Sequence, residues 1–356
     1  LMNMHDLTKT IILLLLTTIA AQTSIASEST NHEHGTHFEC SLPKRPQDIL
    51  DCAKENHPSV LRKINEVNHT KLSKDIAAQI PNPELDAEIT KGSGDLSNSS
   101  IGLLQPIEWG GKRISRINAA KARISFVDAE LKEVQAEVII ETVTNLHRLR
   151  QIALEKTILE NTIKNLERMI LQQSSRLNLS PEQQVTLSVY RMALIDTKIK
   201  NAEIFDEERA LEHYFHVSTG HSLEELRPVL PNAPNKWPDF DVSPRHSALS
   251  TGLLKAMAEK NEYIADSALA NSATWPSLKV GPMWNSQAGV GEPAQSLFGF
   301  RIMMDLPLLN WNSGSRSFAQ AGIHRSEKNL SLIKEEERHE RNEQLKIYQS
   351  ALSTLK

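Results

Sequence analysis

The chain has 356 residues, with 40 Lys and Arg against 44 Asp and Glu and a formal net charge of -4. It has no basic excess, so nucleic acid is excluded as a partner. Aromatic residues make up only 5% of the chain while charged residues make up 24%, a composition too poor for one large compact core but well suited to long helix-on-helix seams.

Residues 1–26 read as an export signal. Lys9 precedes the apolar run Thr10 to Ala21, which is too short to span a bilayer, and Ser24-Ile25-Ala26 offers a small-x-small cleavage site. Residues 27–46 then form a flexible segment in which His32, His34, His37 and Cys40 fall close together. Imidazole and thiolate suit Zn, Cu, Co or Cd, so these four are candidate metal ligands, against the plainer reading of a polar tail that binds nothing. Cys40 and Cys52 are the two cysteines of the chain. In an oxidising compartment they can bridge; two free thiols or a metal contact are the other readings.

From residue 47 onward the order of elements repeats. Residues 47–217 form a first unit of helix, strand pair and helical hairpin, 218–243 a linker rich in Pro and Asn, and 244–356 a second unit in the same order. In the first unit "ELDAEITK" alternates: Leu85, Ala87 and Ile89 on one face, Glu84, Asp86, Glu88 and Thr90 on the other. The chain returns through Ile101 to Ile107. In the second unit Phe298, Phe300, Ile302, Met304 and Leu306 alternate with Gly299, Arg301, Met303 and Asp305. Strands of roughly ten residues with one apolar and one polar face suit a transmembrane barrel, with lipid outside and water inside; hairpins packed on a soluble core are the alternative. Four strands are too few to close a barrel, so several chains are expected to share one. Glu84, Asp86 and Glu88 are candidate lumen-facing carboxylates that would favour cations.

Each unit passes from strand to helix through a Pro- and Gly-containing turn: "QPIEWGGKR" with Pro106, Trp109, Gly110 and Gly111, then "LPLLNWNSG" with Pro307, Trp311 and Gly314. Proline ends a ladder and glycine turns without a side-chain clash. The tryptophans are expected either at a lipid–water boundary or packed between helices. After the first turn, apolar residues from Ile114 to Ile170 recur in steps of three and four, with Lys121, Thr142 and Lys156 as polar members. That spacing predicts one helix of roughly 95 Å. "RLNLSP" breaks it, with Asn178 turning, Ser180 capping and Pro181 opening a return helix that carries Val185, Val189, Met192, Ile195, Ile199, Ala202 and Tyr214. The corresponding helix of the second unit stops at Lys356, so the second hairpin is expected to be truncated.

This arrangement resembles the TolC family of outer-membrane efflux channels over essentially everything after Pro46. Within the family the first turn is similar to the heavy-metal, CzcC-like branch through Gln105, Pro106, Ile107, Glu108, Gly110, Gly111, Lys112 and Arg113, with Trp109 in place of an aliphatic residue. The second turn resembles that branch through Pro307, Leu308, Asn310, Asn312 and Gly314, while Asp305, Leu309 and Trp311 depart from it. The resemblance implies a mainly α fold with a small β part. Long antiparallel coiled-coil hairpins continue four strands, which join a trimeric barrel of twelve in the outer membrane. It implies a periplasmic membrane-fusion adaptor and an RND-type inner-membrane pump as partners, with Leu177, Asn178, Leu179 and Ser180 as the docking tip and the helical part in the periplasm.

Catalytic signatures are lacking. "GGKR" is no phosphate loop, since Pro106 and Arg113 occupy its required positions, and H-E-x-x-H and G-x-S-x-G do not occur. The expected function is therefore export of heavy-metal cations through an outer-membrane channel, with no enzyme activity and no cofactor. Alternatives are a channel for drugs or secreted proteins, and a truncated, non-conducting coiled-coil protein of the periplasm.

Overall fold

The computed structural model describes residues 40–92, 97–232, 249–288, 293 and 295–354. The predicted signal peptide and His32, His34 and His37 lie outside the described residues. In chain order the elements are α1 (Pro46–Asn56), α2 (Pro58–Ala78), β1 (Glu84–Lys91), β2 (Ser97–Ile107), α3 (Lys112–Ser174) and α4 (Pro181–Thr219). A short α5 (Leu223–Leu226) and a single 3₁₀ turn (Arg227–Val229) follow. Then come α6 (Thr251–Ser272), β3 (Ser277–Ala288), β4 (Gln295–Asp305) and α7 (Ser313–Thr354). Long helices joined to one small antiparallel sheet make this a TolC-like fold.

The four strands form a single sheet in the order β1-β2-β3-β4, every neighbour antiparallel. The two hairpins therefore lie side by side, joined by β2 against β3. Each strand is also continuous with one helix: α2 leads into β1, α3 leaves β2, α6 leads into β3, and α7 leaves β4. The helices contact one another in the same order, α2 on α3, α3 on α6 and α6 on α7. β2 begins at Ser97, four residues before the apolar alternation that marks it in the sequence. Ser97 to Ser100 are polar on both faces, yet their backbones pair with β1 and β3; periodicity detects burial, not hydrogen bonding.

α3 is the spine. Its 63 residues span roughly 95 Å, with α2 and α6 along the half nearer the sheet and α4 returning along the other half. Ion pairs tie each neighbour to it. Lys63 of α2 meets Glu130 at 2.9 Å, Lys255 of α6 meets Glu133 at 2.7 Å, and Arg148 reaches both Glu207 of α4 at 2.6 Å and its own Glu155 at 2.9 Å. The hydrogen bonds from Arg148 hold the Glu207 carboxyl below its usual range.

Of the polar seam members, Thr142 is buried and Lys156 half-buried, each with a partner, whereas Lys121 is exposed. Thr142 donates to the Val138 carbonyl at 2.7 Å and lies 2.9 Å from the Tyr214 hydroxyl, and Lys156 meets Glu208 at 2.5 Å. Burial pushes the Tyr214 phenol up. Where α4 ends, Ile49 of α1, Leu146, Leu149 and Ile152 of α3, Leu211 and Phe215 of α4, and Leu223 and Leu226 of α5 close into the main core. Beside it, Cys40 and Cys52 form a disulfide across 12 residues. A second cluster of Ala53, Val60 and Val138 seats α2.

On α4 the outcome differs from the simplest expectation for a hairpin. Leu187, Thr197, Glu208 and Leu211 are buried, while Val185, Val189, Met192, Ile195 and Ile199 face outward. The apolar stripe read from the periodicity is real, but within this chain nothing described covers it.

Because Phe215 is fully buried, Phe215→Ala is expected to cost about 3–5 kcal/mol. Leu177→Ala, at a residue 96% exposed, should change stability by less than about 0.5 kcal/mol. Chemical unfolding of the two variants, followed by circular dichroism, measures the contrast.

Candidate channel wall and its junction with the helices

Residues paired across an antiparallel ladder share a face, so the register sorts every strand residue. One face carries Leu85, Ile89, Ile101, Leu103, Val280, Trp284, Phe298, Phe300, Ile302 and Met304. Most of these side chains are exposed, Phe300 to 82%. They form a continuous apolar band, which no isolated water-soluble sheet would present. The other face carries Glu84, Asp86, Glu88, Asn98, Ser100, Lys279, Asn285, Gln287 and Arg301, interspersed with Leu104, Met283, Leu297 and Met303.

The direction of curvature follows from two ion pairs. Lys279 of β3 meets Glu84 of β1 at 2.6 Å across β2, and Arg301 of β4 pairs with Asp86 of β1 across both central strands. Strands β1 and β4 are not neighbours, so the second contact requires the sheet to roll toward its polar face. Glycine clears the way: Arg301 is paired with Gly281, and Asp86 with Gly102. A Cβ on Gly281 would stand 1.8 Å from the Leu103 carbonyl oxygen, so β3 can approach β2 this closely only without a side chain there. The sheet is thus concave and charged inside, convex and apolar outside.

Of the three predicted wall carboxylates, Glu84 and Asp86 are neutralised by cations on the same face. Glu88 lies 3.3 Å from the Thr90 hydroxyl. Lys279 and Arg301 were not singled out from the sequence. Each stands alone in an apolar strand, and their partners lie about two hundred residues away, beyond any local pattern.

At the first turn, Pro106 is still paired with Lys279, and β2 ends at Ile107. Gly110 and Gly111 take left-handed conformations, φ 65° and 76°. Gly110 is held by a second constraint, since a Cβ there would stand 2.2 Å from the Trp275 ring. Trp109 packs edge-on against Trp275 with centroids 5.5 Å apart and donates its indole N–H to the Pro276 carbonyl at 2.5 Å. It therefore locks the first turn to the approach of β3. The cations that follow cap α2: Arg113 donates to the Ala78 carbonyl, and Arg116 donates to Ala77 and Gln79 while pairing with Glu108. Cations at a helix C-terminus satisfy its free carbonyls and its dipole.

The second turn solves the same problem differently. Gly314 sits within α7 and needs no special backbone angle; the left-handed residue is Asn312, φ 54°. Asn312 also donates through its side chain to the Ala270 carbonyl at the end of α6, at 2.9 Å. Asparagine supplies both the turn and the cap, so the glycine expected to turn the chain is displaced by two residues. Pro307 and an exposed Trp311 line a cleft of about 440 Å³ with Trp275, Pro276 and Leu308.

At the far end of the hairpin, Asn178 turns the chain with φ 65°. Ser180 accepts from the Gln183 N–H at 3.3 Å, and Gln183 returns a bond to the Ser180 N–H at 3.0 Å. This reciprocal box opens α4, with Pro181 as its first residue. Leu177 stands free, while Leu179 is half-buried. Of the candidate metal ligands, Cys40 is corrected: its sulfur is bonded to Cys52 and offers no thiolate. No cluster of metal-ligating side chains occurs among the described residues.

No protein-family model matches the sequence, and no curated protein matches it. Solved structures share its fold. The CmeC outer membrane channel of Campylobacter jejuni superposes with a TM-score of 0.59 at 12% identity, over 82% of this chain and 68% of that one. The outer membrane protein VceC of Vibrio cholerae gives 0.57 at 11% identity over 83% and 76%. The MtrE outer membrane channel of Neisseria gonorrhoeae, in its open state, gives 0.57 at 15% identity over 82% and 71%. At these identities the likeness is one of fold.

The two turn glycines should differ in what they tolerate. Gly111 has open space around it, so Gly111→Ala carries only the left-handed penalty of about 1–2 kcal/mol. Gly110→Ala must also displace Trp275, which raises the expected cost to roughly 2–4 kcal/mol. Unfolding midpoints of the two variants, with Trp109 and Trp275 fluorescence as the local signal, measure the difference.

Proposed function

We propose that the chain is one subunit of an outer-membrane channel that assembles as a homotrimer and serves a tripartite efflux system. The observation that carries this is the rolled sheet, apolar on its convex face, charged on its concave face and open at both edges. Such a sheet meets lipid on one side and water on the other, and its free edges call for more strands. Three copies would supply twelve strands, enough for a water-filled barrel, and the helices below would continue it as a periplasmic tunnel. The outer-membrane channels that share the fold support the same reading. No residue is assigned a catalytic role.

Heavy-metal cations are the proposed cargo. Support comes from the likeness of the first turn to the metal-exporting branch and from His32, His34 and His37 near the start of the chain. The wall itself adds little, because Lys279 and Arg301 offset Glu84 and Asp86. That compensation favours the runner-up, a channel for drugs or secreted proteins. Deleting the gene and measuring tolerance to zinc, cobalt, cadmium, copper and common antibiotics decides between them. Loss of metal tolerance is expected; loss of antibiotic tolerance alone would move the assignment to the runner-up. A soluble periplasmic monomer with no effect on either would point to a non-conducting coiled-coil protein.

The hairpin tip is the proposed contact with the periplasmic adaptor, through which an RND-type pump would engage. Leu177 is its anchor, since an almost fully exposed leucine beside a fixed turn suits insertion into a helical partner. Leu177→Asp is expected to abolish export while leaving the outer-membrane oligomer intact, because the tip lies roughly 95 Å of helix from the sheet. Tolerance assays together with native gels of membrane fractions report both properties, and normal export by the variant would defeat the docking role.

A further inference from the structure

The inward rows of the two edge strands differ in charge. On β1, the three consecutive inward positions Glu84, Asp86 and Glu88 are all acidic. On β4, Arg301 is the cation of the same face, with Asp305 at the strand end. Both strands have one hydrogen-bonded neighbour and one open side. The helices below repeat this asymmetry, since α2 and α7 are the flanking members of their layer. Each exposes a large apolar side chain near the sheet, Ile76 on α2 and Phe318 on α7.

We propose that in the assembled barrel Arg301 pairs with the acidic row on β1 of the next copy, and that this difference between the edges directs head-to-tail ring closure. The inference rests on the channel reading above. Three edge pairings are open to copies of this chain. Joining β1 to β1 sets one acidic row beside another, and like charges across a strand pair oppose association; joining β4 to β4 brings together rows that each hold Arg301 and Asp305 and leaves both acidic β1 edges able to meet only one another. Joining β4 to β1 sets opposite charges together and keeps both apolar faces on the same side. Unlike edges also give a heterologous interface, which forms a ring where the rotation closes, so that every copy satisfies both of its edges through the same contact. The Arg301–Asp86 contact within one rolled chain shows that the two groups occupy the same face and are free to meet. Around a wider barrel the nearest acidic row for Arg301 is the one across the subunit boundary, where β4 and β1 become neighbours.

The test uses the full chain expressed from two differently tagged copies, one carrying Asp86→Cys and the other Arg301→Cys, treated with a short bis-maleimide. Cys40 and Cys52 are bonded to each other, and each single variant expressed alone serves as the control for background crosslinking. A crosslinked dimer bearing both tags, absent from the controls, is the expected result. If an oligomer is present in the outer membrane but crosslinking occurs only when both cysteines sit in one chain, the intersubunit pairing is overturned and the channel reading stands. If no oligomer forms with the native chain, both fall. Charge exchange covers the case in which the cysteine variants misfold: Arg301→Asp is expected to lower oligomer yield at least roughly tenfold, and adding Asp86→Arg should restore it. Equal yields from the single and exchanged variants would overturn the proposal.

Discussion

Neighbouring strands lie about 4.8 Å apart, whereas packed helices need about 8–10 Å. In this chain each strand continues directly into a helix, and the helices keep the order of the strands. Four helices must therefore spread below four strands, and the turns between them must absorb the mismatch. This explains why the punctuation of the sequence is concentrated there. Pro81 and Pro83 precede β1, Gly110 and Gly111 follow β2, Pro276 precedes β3, and Pro307 and Asn312 follow β4. The same constraint accounts for the capping cations. A helix that stops short of its strand leaves free carbonyls, and Arg113, Arg116 and Asn312 reach across from the neighbouring turn to satisfy those of α2 and α6. Residues that look like a motif are largely the hardware of this conversion.

Legibility in the sequence tracked how local the cause was. β1 was readable to the residue because "ELDAEITK" alternates without a break. The hairpin tip was readable because its turn, its cap and the proline after it lie within a few residues. The α3 spine is legible from its period, including Thr142 and Lys156, seam positions satisfied by Tyr214 and Glu208, but the period also admits Lys121, which is exposed. What escaped depends on distant partners. The stripe on α4 is legible as apolar, but period alone says only that a face is apolar, not what it meets. Gly314 looked like the second turn residue because glycine is the usual left-handed residue, and Asn312 fills that role because its side chain also caps α6. For Cys40 and Cys52 the sequence leaves a disulfide, two free thiols or a metal contact open, and only the fold brings their Cα atoms to 5.9 Å and bonds them.

The unsatisfied surfaces of the chain are of three kinds and point the same way. The sheet has open edges, its convex face is apolar, and α4 turns Val185, Val189, Met192, Ile195 and Ile199 outward. Each is costly in water: an open strand edge invites pairing, and an extended apolar stripe is a seam without its second helix. A chain with one such surface can be a monomer with a binding site. A chain with all of them, running from the sheet along the helices, fits the proposed channel subunit, which lipid and other copies would complete.

The charge pattern of the wall qualifies the sequence-level view of cation preference. Three carboxylates in a row suggest a negative lumen, yet two of them face Lys279 and Arg301. If the cations neutralise the carboxylates within each subunit, or if Arg301 does so across the boundary, the net field felt by a passing ion is the same to a first approximation, since charge summed over the ring does not depend on which copy supplies it. In the proposed channel the strength of this ring alone would then discriminate little among cargoes. On that reading discrimination would come from the partners that meet the hairpin tip, and the barrel wall would serve to hold the subunits in register and keep the pore wet.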